Sequence, residues 1–399
     1  MVRGARRAGV LVVAGVLAAG CSVLGGGGGG THQAARPGGG APTGTAAPSP
    51  STDPKTFTVV SAGDELIHQP LTKQAAADAR AEGRTGYDFG PILAGVKNVV
   101  SHADLAICHQ ETPLGPAGGP FSYYPSFSVP PQLLDAVKDT GYDTCSTASN
   151  HSMDEGAAGI QRSLDAFDAI GLKHTGTARD AAEAAGVDML DVHGVKVAQL
   201  SFAYGLNGQT RPANKPWLVN IIDPAAILAA AHRARAQGAQ VVILSLHWGI
   251  EYHHEATADQ QKLAKQLMAS PDIDLIIGCH AHVVQPFEKV DGKWVVYGMG
   301  NQIAWHDQPS EDNREGVMAR MTFHQDAAGH WSVTKAEAIP TWMDNTGGTL
   351  RLLDLSTAVT DPNVPAARKA AYQQSYNRIS GFVLSRGGAA AGLVVTKGP

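Results

Sequence analysis

Hydrophobic positions along this 399-residue chain fall into short runs, and five of the runs end abruptly in carboxylate, amide or imidazole side chains. Residues 57–62 alternate and lead into Gly63-Asp64, with His68 just beyond. LAICHQE ends at Glu111, CSTASNH at Asn150 and His151, VVILSLH at His247, and LIIGCHAH at His280 and His282. A buried apolar run that stops in such groups is how α/β proteins deliver functional side chains to one sheet edge. Helical spacing of apolar residues predicts helices over 92–102, 131–140, 160–170, 224–237 and 260–268. Strands are expected at 105–108, 195–202, 241–246, 275–277 and 295–297, with a hairpin formed by 318–323 and 331–334. Alternation of the two implies a layered α/β domain with its polar strand ends gathered together.

The ends of the chain read differently. Residues 1–20 have the parts of an export signal: Arg3, Arg6 and Arg7, an apolar run over 10–17, and Ala18, Ala19 and Gly20 before Cys21. That run is too short to span a bilayer. Cys21-Ser22 resembles a lipoprotein processing site, although Ala18 stands where a larger aliphatic residue is usual; lipidation at Cys21 would anchor the protein outside the cell membrane, and ordinary cleavage would release it. Arg6-Arg7 leaves a twin-arginine route open. Residues 21–54, rich in Gly, Pro and Ala, lack the large apolar groups that could offset ordering entropy, so they read as a disordered tether. The domain is expected over 55–350. Residues 351–399 are expected to add a helix over 365–384, with Tyr372, Tyr376, Ile379 and Phe382 on one side, and then a flexible tail.

Composition narrows the partners. A net charge of −5 without a basic stripe argues against nucleic acid. Cys108, Cys145 and Cys279 lack the paired spacing of a zinc-thiolate site and read as small buried residues. An extracytoplasmic domain leaves a Cys108–Cys145 disulfide open.

The five strand ends carry the side chains that bind divalent metals. Asp64 could equally close an Asx turn, His68 could be a loop histidine, and Glu111 a surface carboxylate. Asn150 offers an amide oxygen or a helix N-cap. His151 can point at a substrate and deliver a proton, with Asp154 close enough to orient its ring. His247 follows a run that must be buried, with Glu251 placed as an additional ligand or an outer acceptor. His280 and His282, two apart, would face one side in extended backbone. Asn301, after a glycine turn, could join from outside. Two divalent ions need a carboxylate between them, and Glu111 is the best bridge. Manganese, zinc and iron all accept such mixed ligands.

At these residues the chain resembles the CapA family, the poly-γ-glutamate capsule biosynthesis proteins, a branch of the calcineurin-like metallophosphoesterase superfamily. SAGDELIH, ADLAICHQETPLG, SNHSMDEG, LHWGIEY, IIGCHAHVVQPFE and VYGMGN carry the likeness in order. The resemblance implies a four-layer αββα sandwich of two mixed sheets flanked by helices. It implies one ion held by Asp64, His282 and Glu111, a second by Glu111, Asn150, His247 and His280, and His151 as proton donor supported by Asp154. His68 stands four residues after Asp64, where the superfamily has a histidine two after its aspartate, and glutamate replaces aspartate at the bridge. The implied role is a metal-dependent hydrolase or transferase acting on an anionic extracellular polymer or a phosphoester, alongside capsule synthesis or export proteins. A non-catalytic subunit of an export or anchoring assembly, a phosphodiesterase unrelated to capsule, and a periplasmic binding lipoprotein are the competing roles.

Overall fold

Fifteen strands and their connecting helices make up the computed structural model, which describes Asp53 and residues 55–306 and 310–396. The expectations for the signal, Cys21 and nearly all of the tether fall outside the described residues. In chain order the strands are β1 (Thr56–Leu66), β2 (Leu105–Gln110), β3 (Thr144–Ser146), β4 (Lys173–Thr175), β5 (Asp188–Val192), β6 (Val195–Ala203), β7 (Val241–His247) and β8 (Leu275–Cys279). They continue with β9 (Phe287–Val290), β10 (Lys293–Val296), β11 (Asn301–Ala304), β12 (Glu315–Gln325), β13 (Trp331–Asp344), β14 (Arg351–Asp354) and β15 (Leu393–Val395).

Two mixed sheets result. One runs β14-β13-β12-β1-β2-β3-β4, with β11 added to β1 and β15 to β13; the other runs β5-β6-β7-β8-β10-β9. The chemistry-bearing strands β1 to β3 pair in parallel, as do β6, β7 and β8, so their C-terminal ends share one edge. Alternation decides the layers. Phe57, Val59 and Ile107 of the first sheet meet Val197, Ile243 and Ile277 of the second in a core between them. The other face of the first sheet buries Val60 and Ala106 under helices that include Gln69–Ala81 and Leu133–Thr140. Helices Pro224–Ala236 and Ala258–Met268 cover the second sheet through Ile227, Ala231 and Leu267. This is the αββα order of the expected sandwich. Cys108 and Cys145, register partners in β2 and β3 with Cα atoms 4.4 Å apart, form a disulfide.

Four expectations change. The predicted helix over 92–102 is two short ones, Gly90–Leu93 and Lys97–Ser101, because Gly95 presses against the Leu352 carbonyl; a Cβ there would stand 2.2 Å from that oxygen. The first strand does not end before Asp64 but continues to Leu66 through an irregularity in register. Gly63 permits this, its hydrogens facing the Gly300 carbonyl where a Cβ would approach to 1.9 Å. The domain does not close at residue 350: β14 extends the sheet beside β13, and Tyr372, Tyr376, Ile379 and Val383 of helix Ala366–Leu384 enter the inter-sheet core. Nor is the segment after that helix a loose tail throughout, since β15 pairs in parallel with β13 at Ala336–Leu393 and its neighbours. Three consecutive apolar residues carry too little pattern to announce a strand.

Candidate metal centre

The edge where these strands end holds a dense group of buried polar side chains. Asp64, from β1, is fully buried and accepts the His280 backbone N–H at 3.1 and 3.2 Å on its two oxygens. Its Oδ2 lies 3.2 Å from His282 Nδ1. Asn301, opening β11 beside Asp64, places its Oδ1 3.0 Å from the same His282 nitrogen and donates its amide to Asn313. Two oxygens around Nδ1 require a proton there, so Nε2 is the nitrogen that His282 presents inward. That atom stands 3.7 Å from Glu111 Oε1.

Glu111 follows β2, and its Oε1 is 3.9 Å from His247 Nε2. Both carboxylate oxygens are buried without a hydrogen-bond partner among the described residues, and His280 Nδ1 is in the same condition. Left unmatched, each such group costs of order 1–3 kcal/mol. On the other flank, His247 Nε2 meets Asn150 Oδ1 at 2.8 Å, and the Asn150 amide donates to Asn207 Oδ1 at 3.1 Å. Asn150 is therefore no helix cap: the next helix, Gly156–Ala169, is preceded by Glu155. His151 Nδ1 sits 2.7 Å from Asp154 Oδ2, which also takes the Phe127 N–H at 2.8 Å. Phe127 braces the imidazole edge-on at 4.8 Å.

Charges follow this geometry. Burial and its acidic neighbours push Glu111 well above the ordinary carboxylate range, although His282 pulls the other way. Burial acts to lower His282, but Glu111 and Asp64 outweigh it and push the imidazolium up to about 10. For Asp64 the His282 contacts outweigh burial and hold it below its usual value. Burial takes His247 well down and, together with His282, takes His280 down to about 3.

Among the described residues three groups of donor atoms lie mutually within 4.8 Å: Asp64, Glu111 and His282; Glu251, His280 and His282; and Asp64, His109 and Cys279. The set is the hard and borderline mixture that divalent ions take, and Glu111 Oε1 and Oε2 and His280 Nδ1 lie buried without a partner among the described residues, so the residues fit a metal centre. His280 and His282 reach it differently from the extended geometry expected of them. Both have left-handed backbones, with φ of 96° and 56°, and it is the turn after β8 that aims the rings. Glu251 stands exposed at the mouth. His68 belongs to none of the three groups; its ring packs against His306 at 4.6 Å and Phe127 at 5.6 Å, with Nδ1 3.1 Å from the Leu66 carbonyl.

Sequence reasoning missed His109, Asn207 and the tyrosines at the mouth. His109 lies two residues before Glu111 on the same strand face, a period-two signal that was available. Its Nε2 is 2.9 Å from His247 Nδ1 and its Nδ1 2.8 Å from Ser146 Oγ, which in turn donates to the Cys108 carbonyl. Two proton orders fit the chain: Ser146 to His109, His109 to His247 Nδ1 and His247 Nε2 to Asn150 Oδ1, or His247 Nδ1 to His109, His109 to Ser146 and Ser146 to the carbonyl. The second frees His247 Nε2 as a ligand and calls for a cation between it and the Asn150 oxygen. A cavity of ≈ 380 Å³ at the outer edge, lined by His174, Asp188 and Phe202 among others, includes none of these candidate residues.

Comparison with known proteins identifies the family. The profile of the bacterial capsule synthesis protein family PGA_cap matches residues 58–305, from the first strand to just beyond Asn301. The chain belongs to this family. A PGA biosynthesis protein CapA from Bacillus subtilis is 28% identical over 205 residues, 51% of this chain and 53% of that protein. A capsule biosynthesis protein CapA from Bacillus anthracis is 29% identical over 180 residues, 44% of this chain and 43% of that protein. The chain thus spans about half the length of the curated relatives it matches. A putative 5'-nucleotidase from Staphylococcus aureus superposes with a TM-score of 0.45 at 14% identity, over 81% of this chain and 58% of that one.

Proposed function

We propose that the protein is a metal-dependent hydrolase or transferase of the cell envelope that serves the synthesis of capsular poly-γ-glutamate or a related extracellular polymer. The observation that carries this reading is Glu111, whose two buried oxygens have no partner among the described residues and whose Oε1 lies 3.9 Å from His247 Nε2 and 3.7 Å from His282 Nε2. Asp64 and His282 would hold one ion with Glu111, and Asn150, His247 and His280 a second with the same carboxylate. Divalent ions at that place supply the positive field an oxyanion requires and acidify water. His151, with Nδ1 tied to Asp154, keeps Nε2 for a proton at the leaving group. Asn207, 3.5 Å from that nitrogen, holds the ring's outer edge in place. Export through residues 1–20 and lipidation at Cys21 would set the domain outside the membrane. Among the described residues no helix is long and apolar enough to cross one. Capsular polymer as the setting is supported by the names of the relatives.

The test is metal analysis of the purified chain, followed by hydrolysis of a generic phosphodiester and of poly-γ-glutamate. His151→Ala should abolish turnover with metal retained; loss of metal would make His151 a ligand. Polymer binding that survives chelation and Glu111→Ala would overturn the metal-centred role in favour of a scaffold.

A further inference from the structure

Five large apolar side chains are exposed among the described residues, and four belong to loops at the metal centre: Tyr124 at 73%, Tyr252 at 53%, Ile250 at 51% and Tyr204 at 45%. Soluble proteins seldom group such side chains without a ligand or partner to cover them. The Tyr204 ring lies 4.4 Å from His280, and the Tyr252 ring 6.1 Å from His282 and 6.0 Å from His306. Glu251 stands between Ile250 and Tyr252 in the chain, its carboxylate within 4.8 Å of ligand nitrogens of His280 and His282. Tyr124 rides on the loop whose Ser126 and Phe127 bond Asp154, within electrostatic reach of Tyr252.

The charge exposed beside these rings is acidic, carried by Glu251 at the mouth. Burial apart, Glu251 acts most strongly on both Tyr204 and Tyr252, and Glu111 adds to it. A tyrosine face attracts a cation, and a carboxylate beside it adds direct Coulomb attraction. A second anion would meet Glu251 and be repelled. Resting on the metal-centre reading, we propose that this rim recognises a protonated amine carried by the substrate beside the group that the metal centre holds. A run of closely spaced carboxylates would then be excluded from the mouth unless it presented an amino end.

The metal-loaded full chain can be titrated with phosphocholine, propyl phosphate, phosphoglycolate and glucose 1-phosphate, which share a phosphate and differ in what lies beside it. Phosphocholine should bind roughly 5- to 30-fold tighter than propyl phosphate, with phosphoglycolate the weakest. Tyr252→Ala, a change at an exposed position, should weaken that preference while leaving propyl phosphate within about twofold, and Tyr204→Ala should weaken it too, with metal content measured alongside. Glu251→Gln should shrink it with metal content measured alongside. Equal binding of phosphocholine and propyl phosphate, or tightest binding of phosphoglycolate, would overturn the amine site and leave the metal centre standing. Glucose 1-phosphate outbinding phosphocholine through the same tyrosines would replace it with a sugar platform. Failure of every phosphate would instead sink the metal reading. Tetramethylammonium added alone, read from the tyrosine ring resonances, would then decide the amine site, and unmoved resonances would overturn it.

Discussion

Asp64 and Glu65 are consecutive residues of one strand, both at 0% exposure, yet they occupy opposite electrostatic worlds. Asp64 faces the candidate metal centre, where His280 and His282 surround it. Glu65 points the other way, toward the core under the outer helices, where it acts on the buried Tyr142 ring and has no hydrogen-bond partner for either oxygen among the described residues. Asp64 is held below the usual carboxylate range, whereas burial alone pushes Glu65 up to about 8. Equal burial gives opposite results because a carboxylate's cost is set by what meets it once water has gone.

Removing the well-matched member should hurt most. Asp64→Ala strands a buried His282 cation and should cost about 3–5 kcal/mol of stability, with the metal lost. Chemical unfolding with metal analysis checks both, and a variant that keeps its metal would break the contrast at its root. Glu65 should show the reverse sign. Its folded-state pKa lies above the ordinary 4.5, so the native state holds the proton longer than the unfolded chain. Stability from this group is therefore full below the ordinary value and falls as pH rises toward 8, at up to about 1.4 kcal/mol per pH unit. In Glu65→Gln that part of the slope should vanish with metal binding unchanged; identical slopes in the two proteins would contradict it.

The side of the strand that carries Asp64 can be sharpened further through His109. Replacing it with Leu breaks the proton order behind His247 and should weaken metal binding about 10–100-fold, read by chelator competition with the fold intact by circular dichroism. The smallest expected effect is in proton bookkeeping. With His282 pushed up to about 10 and Glu111 also raised, the metal-free centre holds protons that an ion must displace. Metal uptake should release protons and weaken as pH falls. Calorimetry in buffers of different ionisation enthalpy measures this, and proton-neutral uptake would refute it.

Much of this was visible in the chain. The apolar runs that end at Glu111, His247 and His280 each announce a buried strand and its cargo, because such runs are affordable only in a sheet covered on both faces. Glu65 was not legible: with Asp64 beside it, it reads as one more polar residue at a strand end. Only the continuation of β1 past Gly63 turns it inward. His109 lies inside an apolar run, where a lone histidine reads as filler unless its two-residue spacing from Glu111 is used. Helix Ala366–Leu384 was legible from Tyr372, Tyr376 and Ile379, but β15 was not, since its partner Ala336 lies 57 residues earlier in the chain.

The left-handed turns at His280 and His282 bear on how such a centre could be copied. A histidine pair transplanted at the same spacing onto an ordinary strand end would send both rings to one side, but along two parallel directions that never meet. What has to be inherited is a bend, and bends are not written in the letters His-Ala-His. A designer borrowing this site must carry over the β8 turn together with the Asp64 carboxylate that receives its backbone N–H, because it is the scaffold's curvature that brings the two rings to one place.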